Sequence, residues 1–497
     1  MPELVGKEFR FATHVAAIYN VRPDIHVIKE ILHYSDGSTR ANLRVIENFK
    51  RPIWITQPHH RNHVEKKEFE SMDKLNKYMT TESDLIHTIK MRLNDSRYST
   101  AKTLRDVRDN PYLYGVDITT TTMMKYAYMQ KYPNCNTPYS VAALDIETDI
   151  DTDEITIIGV GMIDRFYAAI SSKLVDGIPN VISQLRYLFK KYIPSQTMRE
   201  SIVPVFELYD TEVELVRAAI GKLHTWQPDI AAIWNIDFDM SHMINACTKD
   251  GVEPKDIFSD PSLPVEYRDF KYKKDTDFKI TESGVRKPKG PQEMWNTVKC
   301  PSSFYWLDAM SVYNFVRVGG KQVPGGFSLD HVLGKELGSE YKKLKIFNED
   351  DRANSSVEGT VDWHRYMSHE RPLEYIIYNA WDILSMISLD DKIHDMSISL
   401  PLLSGPNDFD IFHQSPKKLV GELFFLYQEK GLVIGCKANQ QDTEDRALSL
   451  SEWIIMLPII NTSSTGSRAI QEGYIDNNIR LHCADSDQSS GWMRPAA

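Results

Sequence analysis

Cysteine is scarce in this chain, and what there is stands apart. The 497 residues hold five, Cys135, Cys247, Cys300, Cys436 and Cys483, an odd number with no C-x-x-C pair. That excludes a disulfide-built scaffold and leaves a zinc site without ligand spacing. Reduced thiols are the simplest reading. Long apolar runs are missing as well. Residues 453–457 run into Pro458, and 155–163 carry Thr156, Gly159 and Gly161. Neither approaches the roughly 20 residues of a membrane-spanning helix. The opening, Met1-Pro2-Glu3-Leu4-Val5-Gly6-Lys7, has no apolar signal core. Positive charge is also in deficit: 58 Lys+Arg stand against 69 Asp+Glu, a net charge of −11. A surface that is basic all round is thereby excluded. A local basic stripe, which is all that phosphate binding needs, is not. No internal repeat is visible.

The balance of 42% hydrophobic and 26% charged residues describes an ordinary globular chain with enough apolar mass for sizeable cores. The length suits about three domains. Residues 1–135 mix strand-like runs at 42–46 and 53–57 with a helical pattern over 72–93. The turn-rich stretch Pro133-Asn134-Cys135-Asn136-Thr137-Pro138 closes them. Beyond it, strands and helices alternate: strand 140–146, its hairpin neighbour 155–163, and a helix over 181–192. A T-x-x-E capping box at Thr211 and Glu214 then opens a helix, followed by strand 229–234 and a helix from about 239. That order implies an α/β layer. Residues 268–289 hold eight basic and four acidic side chains, interleaved with Phe270, Tyr272 and Phe278 and with Gly284 at a turn position. A basic hairpin with aromatic teeth fits, and a charged surface loop is the plainer alternative. A long helix runs from Pro372 to about Met396.

Three short motifs carry the chemistry. Asp145-Ile146-Glu147 ends the apolar run Val141-Ala142-Ala143-Leu144. Side chains alternate along a strand, so the two carboxylates point the same way, an arrangement that suits a hard divalent cation or simply a solvated strand end. Asn235-Ile236-Asp237-Phe238-Asp239 follows the next strand. The carboxyl ends of such strands are where sites form, although Asp237 or Asp239 could equally cap the helix. Tyr378-Asn379-Ala380-Trp381-Asp382 puts Tyr378 and Asp382 on one helical face, four residues apart. An acid among Ile376, Ile377, Ile383 and Leu384 needs a partner, whether a cation or the tyrosine.

Taken in order, D-x-E, N-x-x-F-D and Y-x-x-x-D resemble the three exonuclease motifs of the DEDD nucleases. The tyrosine marks the DEDDy subtype found in family B DNA polymerases, here of the kind carried by large tailed bacteriophages. Many members have three residues between the Asn and the aromatic–Asp pair where this chain has two, and Asp239 is chosen over Asp237 because it directly follows Phe238. The resemblance implies an α/β architecture: a mixed N-terminal domain, then a ribonuclease H-like DEDDy exonuclease domain, then the start of a palm. It implies two Mg²⁺ ions, with Mn²⁺ as a substitute, held by Asp145, Glu147, Asp239 and Asp382. Asp145 would bridge the ions, Tyr378 would orient the attacking water, and Asn235 would shape the turn or contact substrate. Two metals about 3.5–4 Å apart can make a nucleophile at neutral pH and stabilise the leaving alkoxide.

The same resemblance sets the expected domains: 1–135 N-terminal, 136–395 exonuclease, 396–470 a connecting segment packed back on the N-terminal domain, and 471–497 the beginning of a palm. Phe327-Ser328-Leu329-Asp330 is similar to the later exonuclease region. The stretch 268–289 lies where the family carries a hairpin that moves primer ends, so Lys273, Lys274, Arg286 and Lys287, with Phe238, are expected to contact DNA. Asp485-Ser486-Asp487-Gln488-Ser489-Ser490-Gly491-Trp492-Met493 resembles polymerase motif A, with Asp487 as the palm metal ligand, although Trp492-Met493 replace Tyr-Pro. The implied activity is 3′→5′ proofreading by the N-terminal part of a DNA polymerase in viral DNA replication. Its partners would be primer-template DNA with a single-stranded 3′ end, a separate palm, fingers and thumb subunit, and other replisome proteins, but no membrane. Its place would be the host cytoplasm. Motifs for the remaining palm, fingers and thumb are absent, so nucleotide addition is not expected of this chain by itself. A split subunit, a truncated frame and a partial record are equally consistent with that ending. Two other classes stay open: a stand-alone DEDD exonuclease, and a non-catalytic nucleic-acid-binding replisome subunit.

Overall fold

The computed structural model describes residues 2–15, 24–281, 284–318, 326–344, 360–399 and 415–436. Asp487, the whole of 471–497 and most of 396–470 lie outside the described residues.

The chain opens with an antiparallel meander of β1 (Leu4–Val15), β2 (Ile25–Tyr34) and β3 (Thr39–Glu47). A second small sheet follows. Here β4 (Arg51–Thr56) lies between β6 (Leu75–Thr80) and β7 (Leu113–Tyr114), and β5 (Phe69–Ser71) stands apart from it. The helical pattern expected over 72–93 is therefore only half right. Residues 75–80 form strand β6, with Tyr78 and Thr80 turned inward while Lys77 and Met79 face water. That two-residue period, met by a free edge of β4, overrides the longer-range helical spacing. The helix proper is Leu85–Leu93, burying Leu85, Ile89 and Leu93 at four-residue intervals.

The middle of the chain builds a six-stranded sheet of order β11-β10-β9-β8-β12-β17. Strand β9 (Ile155–Met162) pairs antiparallel with β8 (Val141–Thr148) on one side and with β10 (Arg165–Ser171) on the other. Parallel pairings extend the sheet on both sides: β11 (Val205–Tyr209) on β10, and β12 (Ile230–Ile233) on β8 with β17 (Tyr305–Asp308) beyond it. The three short strands and β16 between them, β13 (Lys271–Lys273), β14 (Phe278–Ile280), β15 (Arg286–Pro288) and β16 (Thr297–Lys299), form two small ribbons. Helices cover both faces of the large sheet, so its strands are apolar on either side. Glu212–Trp226 and Ile236–Lys249 pack on one core, Val181–Tyr192 and Pro372–Ile393 on the other. The fold is thus mixed α/β.

The alternation of β8 decides where its carboxylates go. Ala142, Leu144 and Ile146 feed the first core, and Ala143 feeds the second. Asp145 and Glu147 therefore face the long helix Pro372–Ile393. That helix comes in close because β9 offers it glycine: a Cβ at Gly159 would overlap Ile383 and Asn379, and one at Gly161 would lie 2.8 Å from Ile383. After this helix the chain returns to the front sheets. Helix Ser415–Glu429 puts Phe424 5.7 Å from Trp54, and β18 (Leu432–Ile434) pairs antiparallel with β5. Among the described residues, no helix is long and apolar enough to cross a membrane.

A buried ionic joint ties the front meander to the large sheet. Lys29 of β2 meets Asp229 at 2.8 Å and donates to the carbonyls of Gln227 and Pro228. Asp229 in turn accepts from the backbone N–H and hydroxyl of Ser140, at the head of β8. Arg10 lies 3.6 Å from the same carboxylate, so removing Lys29 deletes its shorter ion pair and leaves the longer one to balance the buried charge. Lys29→Met is expected to lower stability by about 3–5 kcal/mol, read from the midpoint of urea denaturation. A change within error would show that Asp229 is satisfied without Lys29.

Candidate metal centre

Asp145, Glu147 and Asp382 bring one carboxylate oxygen each within 4.8 Å of one another. Among the described residues this is the only group of three or more acidic, His or Cys side chains so placed. Two of the acids stand on β8 and the third on the long helix. Asp145 is half-buried, whereas Glu147 and Asp382 are buried. Asp239, in the first turn of Ile236–Lys249, is buried beside them, and its Oδ1 accepts from the backbone N–H of Ile146 at 3.1 Å.

That helix begins where it does for a local reason. Asn235 takes the left-handed conformation, φ +70°, which Asn tolerates better than most residues. Asp308 at the end of β17 then receives the N–H of Ile236 at 3.2 Å. Asp237 turns away from the carboxyl cluster toward Tyr272 and Lys274, the latter at 2.9 Å. The two acids of this motif are thus separated: Asp239 goes to the cluster and Asp237 to the basic stretch. Phe238 between them is 46% exposed, with its ring 4.3 Å from that of His242.

One face of the long helix serves the site. Asn379 donates to Asp145 Oδ2 at 2.8 Å, Tyr375 donates to Glu147 Oε2, and Tyr378 lies one turn before Asp382. Lys343 arrives from outside these elements. Its Nζ meets Asp382 Oδ2 at 2.6 Å and donates to the Tyr378 hydroxyl at 2.7 Å. Its backbone N–H is anchored on Asp330 at 2.9 Å.

Burial and mutual repulsion govern the protonation here. Burial, then the neighbouring charge of Asp382, pushes Asp145 up to about 7. Burial and Asp145 raise Glu147 and Asp239 well above the ordinary carboxyl range. Burial raises Asp382 too, and the Lys343 ammonium works against it. Burial opposes the charge on Lys343, but Asp382 and Tyr378 outweigh it and hold the ammonium charged. The cluster therefore calls for positive charge, and Lys343 supplies only one unit on one side. Among the described residues Asp382 Oδ1 is buried with no hydrogen-bond partner, and the donor set is all carboxylate oxygen. Both features fit a hard metal ion.

The basic residues expected to contact DNA lie on or beside the two small ribbons. Lys273 is exposed on β13, and Lys274 just after it is committed to Asp237. Arg286 and Lys287 are exposed on β15, with Arg286 stacked 4.1 Å over the ring of Phe278. Gly284, φ +79°, sits in the connection between β14 and β15. Sequence reasoning passes over Tyr375, Asn379, His364 and Lys343. The first two share the face of Tyr378 and Asp382, at three- and four-residue spacings that signal it. Lys343 carries no local signal.

No protein-family model matches the chain, and no curated protein matches it.

A bound cation needs ionised carboxylates, so its binding below pH 7 must displace protons. The raised carboxyls bind more protons folded than unfolded. Without metal they therefore favour the fold at low pH and weigh against it as pH rises through about 7. The rise in melting temperature given by Mg²⁺ or Mn²⁺ is expected to be larger at pH 8 than at pH 6. It should vanish in Asp145→Ala with Glu147→Ala. Differential scanning fluorimetry checks both; an equal rise at the two pH values would contradict the protonation argument.

Proposed function

We propose that this chain is a metal-dependent 3′→5′ exonuclease of the DEDDy type, forming the N-terminal, proofreading part of a family B DNA polymerase in viral DNA replication. The observation that carries the reading is the convergence of Asp145, Glu147 and Asp382 within 4.8 Å, from a strand and a helix far apart in sequence. Asp239 stands beside them and Tyr378 one helical turn away. The sheet supports it too: the antiparallel run β10-β9-β8 followed by parallel β12 and β17, with the acids on β8, is the order a ribonuclease H-like domain would have, and β11 adds a sixth strand at the edge.

Asp145, Glu147 and Asp382 would hold one divalent cation, and Asp239 with Asp145 a second. Magnesium is the ion proposed, since carboxylate oxygens with room for phosphate and water suit it. When bound, such ions supply a hydroxide nucleophile at neutral pH and stabilise a leaving oxygen. The chain's own groups do the rest. Asn379 fixes the orientation of Asp145, the least buried of the four acids. Tyr378 keeps its hydroxyl proton, because burial and Asp382 raise it well above an ordinary tyrosine. It can therefore donate to an attacking water. Lys343 holds a positive charge against that hydroxyl and balances Asp382. The exposed Phe238, Arg286 and Lys287 would receive a single-stranded 3′ end by stacking and phosphate contact.

The test is direct. A 3′-labelled single-stranded DNA incubated with Mg²⁺ should be shortened from its 3′ end, and EDTA should stop it. Metal stabilisation of several kcal/mol corresponds to about 10³-fold in rate. Asp145→Ala with Glu147→Ala should lose at least that much. A parallel RNA substrate sets the sugar preference. Cleavage that survives both EDTA and the double substitution would sink the assignment.

A further inference from the structure

Glu147 has a partner that the proposed chemistry does not use. Tyr375 lies one turn before Tyr378 on the same helix and is 1% exposed. Its ring stacks on Tyr378, 6.1 Å between centroids, and meets Trp363 edge-on at 6.2 Å. So held, its hydroxyl reaches Glu147 Oε2. A phenol has one proton to give. With Glu147 ionised, that proton goes to the carboxylate, and the phenol oxygen is left to accept. Its second partner is His364 Nδ1, at 2.8 Å. The hydrogen bonds then run in one direction, from His364 to Tyr375 to Glu147. This requires the His364 tautomer with its proton on Nδ1. Burial and Lys343 push His364 down to about 4, so the ring is neutral near pH 7 and the relay carries dipoles, not charge.

We infer that Tyr375 is a positioning residue: it pins Glu147 by Oε2 so that Oε1 is presented to the ion, and His364 pins Tyr375 in turn. The geometry explains why a second tyrosine is buried beside the first. Glu147 has a longer and more flexible side chain than the aspartates around it. Asp145 already has Asn379, and Asp382 has Lys343. Without Tyr375, Glu147 would be the one buried ligand free to rotate. Partners behind a metal ligand typically change metal affinity or activity by about 10–100-fold when removed.

This rests on the metal-nuclease reading, and the experiment separates the two. Tyr375→Phe keeps the ring in its packing and deletes only the hydroxyl. Calorimetric titration with Mn²⁺ or Mg²⁺ should show affinity weakened by about 10–100-fold. On 3′-labelled single-stranded DNA, kcat at limiting Mg²⁺ should fall by a similar factor and recover as Mg²⁺ is raised, with KM for DNA unchanged. A residue that merely filled space would lower the melting temperature and leave the metal dependence alone. His364→Ala perturbs the same bond from a partly exposed position and should weaken cation binding by a smaller factor. Combined with Tyr375→Phe, it should add nothing. Wild-type cation affinity in Tyr375→Phe, or in His364→Ala should the first variant fail to fold, overturns the inference. If the wild type binds the cation but cuts no nucleic acid, the nuclease reading fails while the calorimetry still judges Tyr375.

Discussion

The approach of the long helix to β9 is the contact on which the rest depends. Gly159 and Gly161 leave the strand bare where Ile383 and Asn379 press against it. A side chain at either position would have to displace helix Pro372–Ile393 outward. Asp382 would then leave the carboxylates of β8, Asn379 would lose Asp145, and Tyr375 would lose Glu147. Strand and helix are each ordinary. What is unusual is that neither core-facing surface keeps its distance at this one place.

That closeness has an electrostatic cost, borne by groups taken out of water in one another's field. Isolated, each carboxyl would shed its charge. The surrounding chain lessens the penalty piecemeal, through Asn379 on Asp145, Tyr375 on Glu147, the Ile146 amide on Asp239 and Lys343 on Asp382. Each acid has a different kind of partner, and three of the four partners are uncharged. Donors without charge orient a carboxylate and leave its demand for a cation standing. Lys343 is the exception, and it sits on the same acid whose second oxygen is bare. The acidic triad could therefore hold a metal ion.

How much of this is legible in the sequence depends on the range of the signal. The pairing of Asp145 with Glu147 is local, because a strand has a period of two. The same holds for Tyr378 with Asp382 on a helix, and for the Thr211–Glu214 cap, which forms as its spacing implies. Residues 75–80 mislead because Leu75, Tyr78 and Met79 have the i, i+3, i+4 spacing of a helix, and only pairing with β4 makes them a strand. Asp237 and Asp239 cannot be told apart by helical spacing alone. Their separate fates follow from Tyr272 and Lys274 lying on one side and Ile146 on the other. Lys343 is the clearest case of an illegible residue. It lies 39 positions from Asp382, and only the folded path of the chain brings it there.

The pairing of β18 with β5 also bears on how the chain comes to be folded. Among the described residues β5 has no other strand beside it, so its hydrogen-bonding edge stays open until a segment more than three hundred residues downstream emerges. On a ribosome that wait amounts to tens of seconds. An open edge is a template for mispairing, and the local defence is charge. Glu70 at its centre is flanked by Lys67 and Lys74, at 2.6 and 3.6 Å. The front sheets are thus synthesised well before the strand that completes them, and their ionic fringe guards the unfinished margin until that later strand closes it.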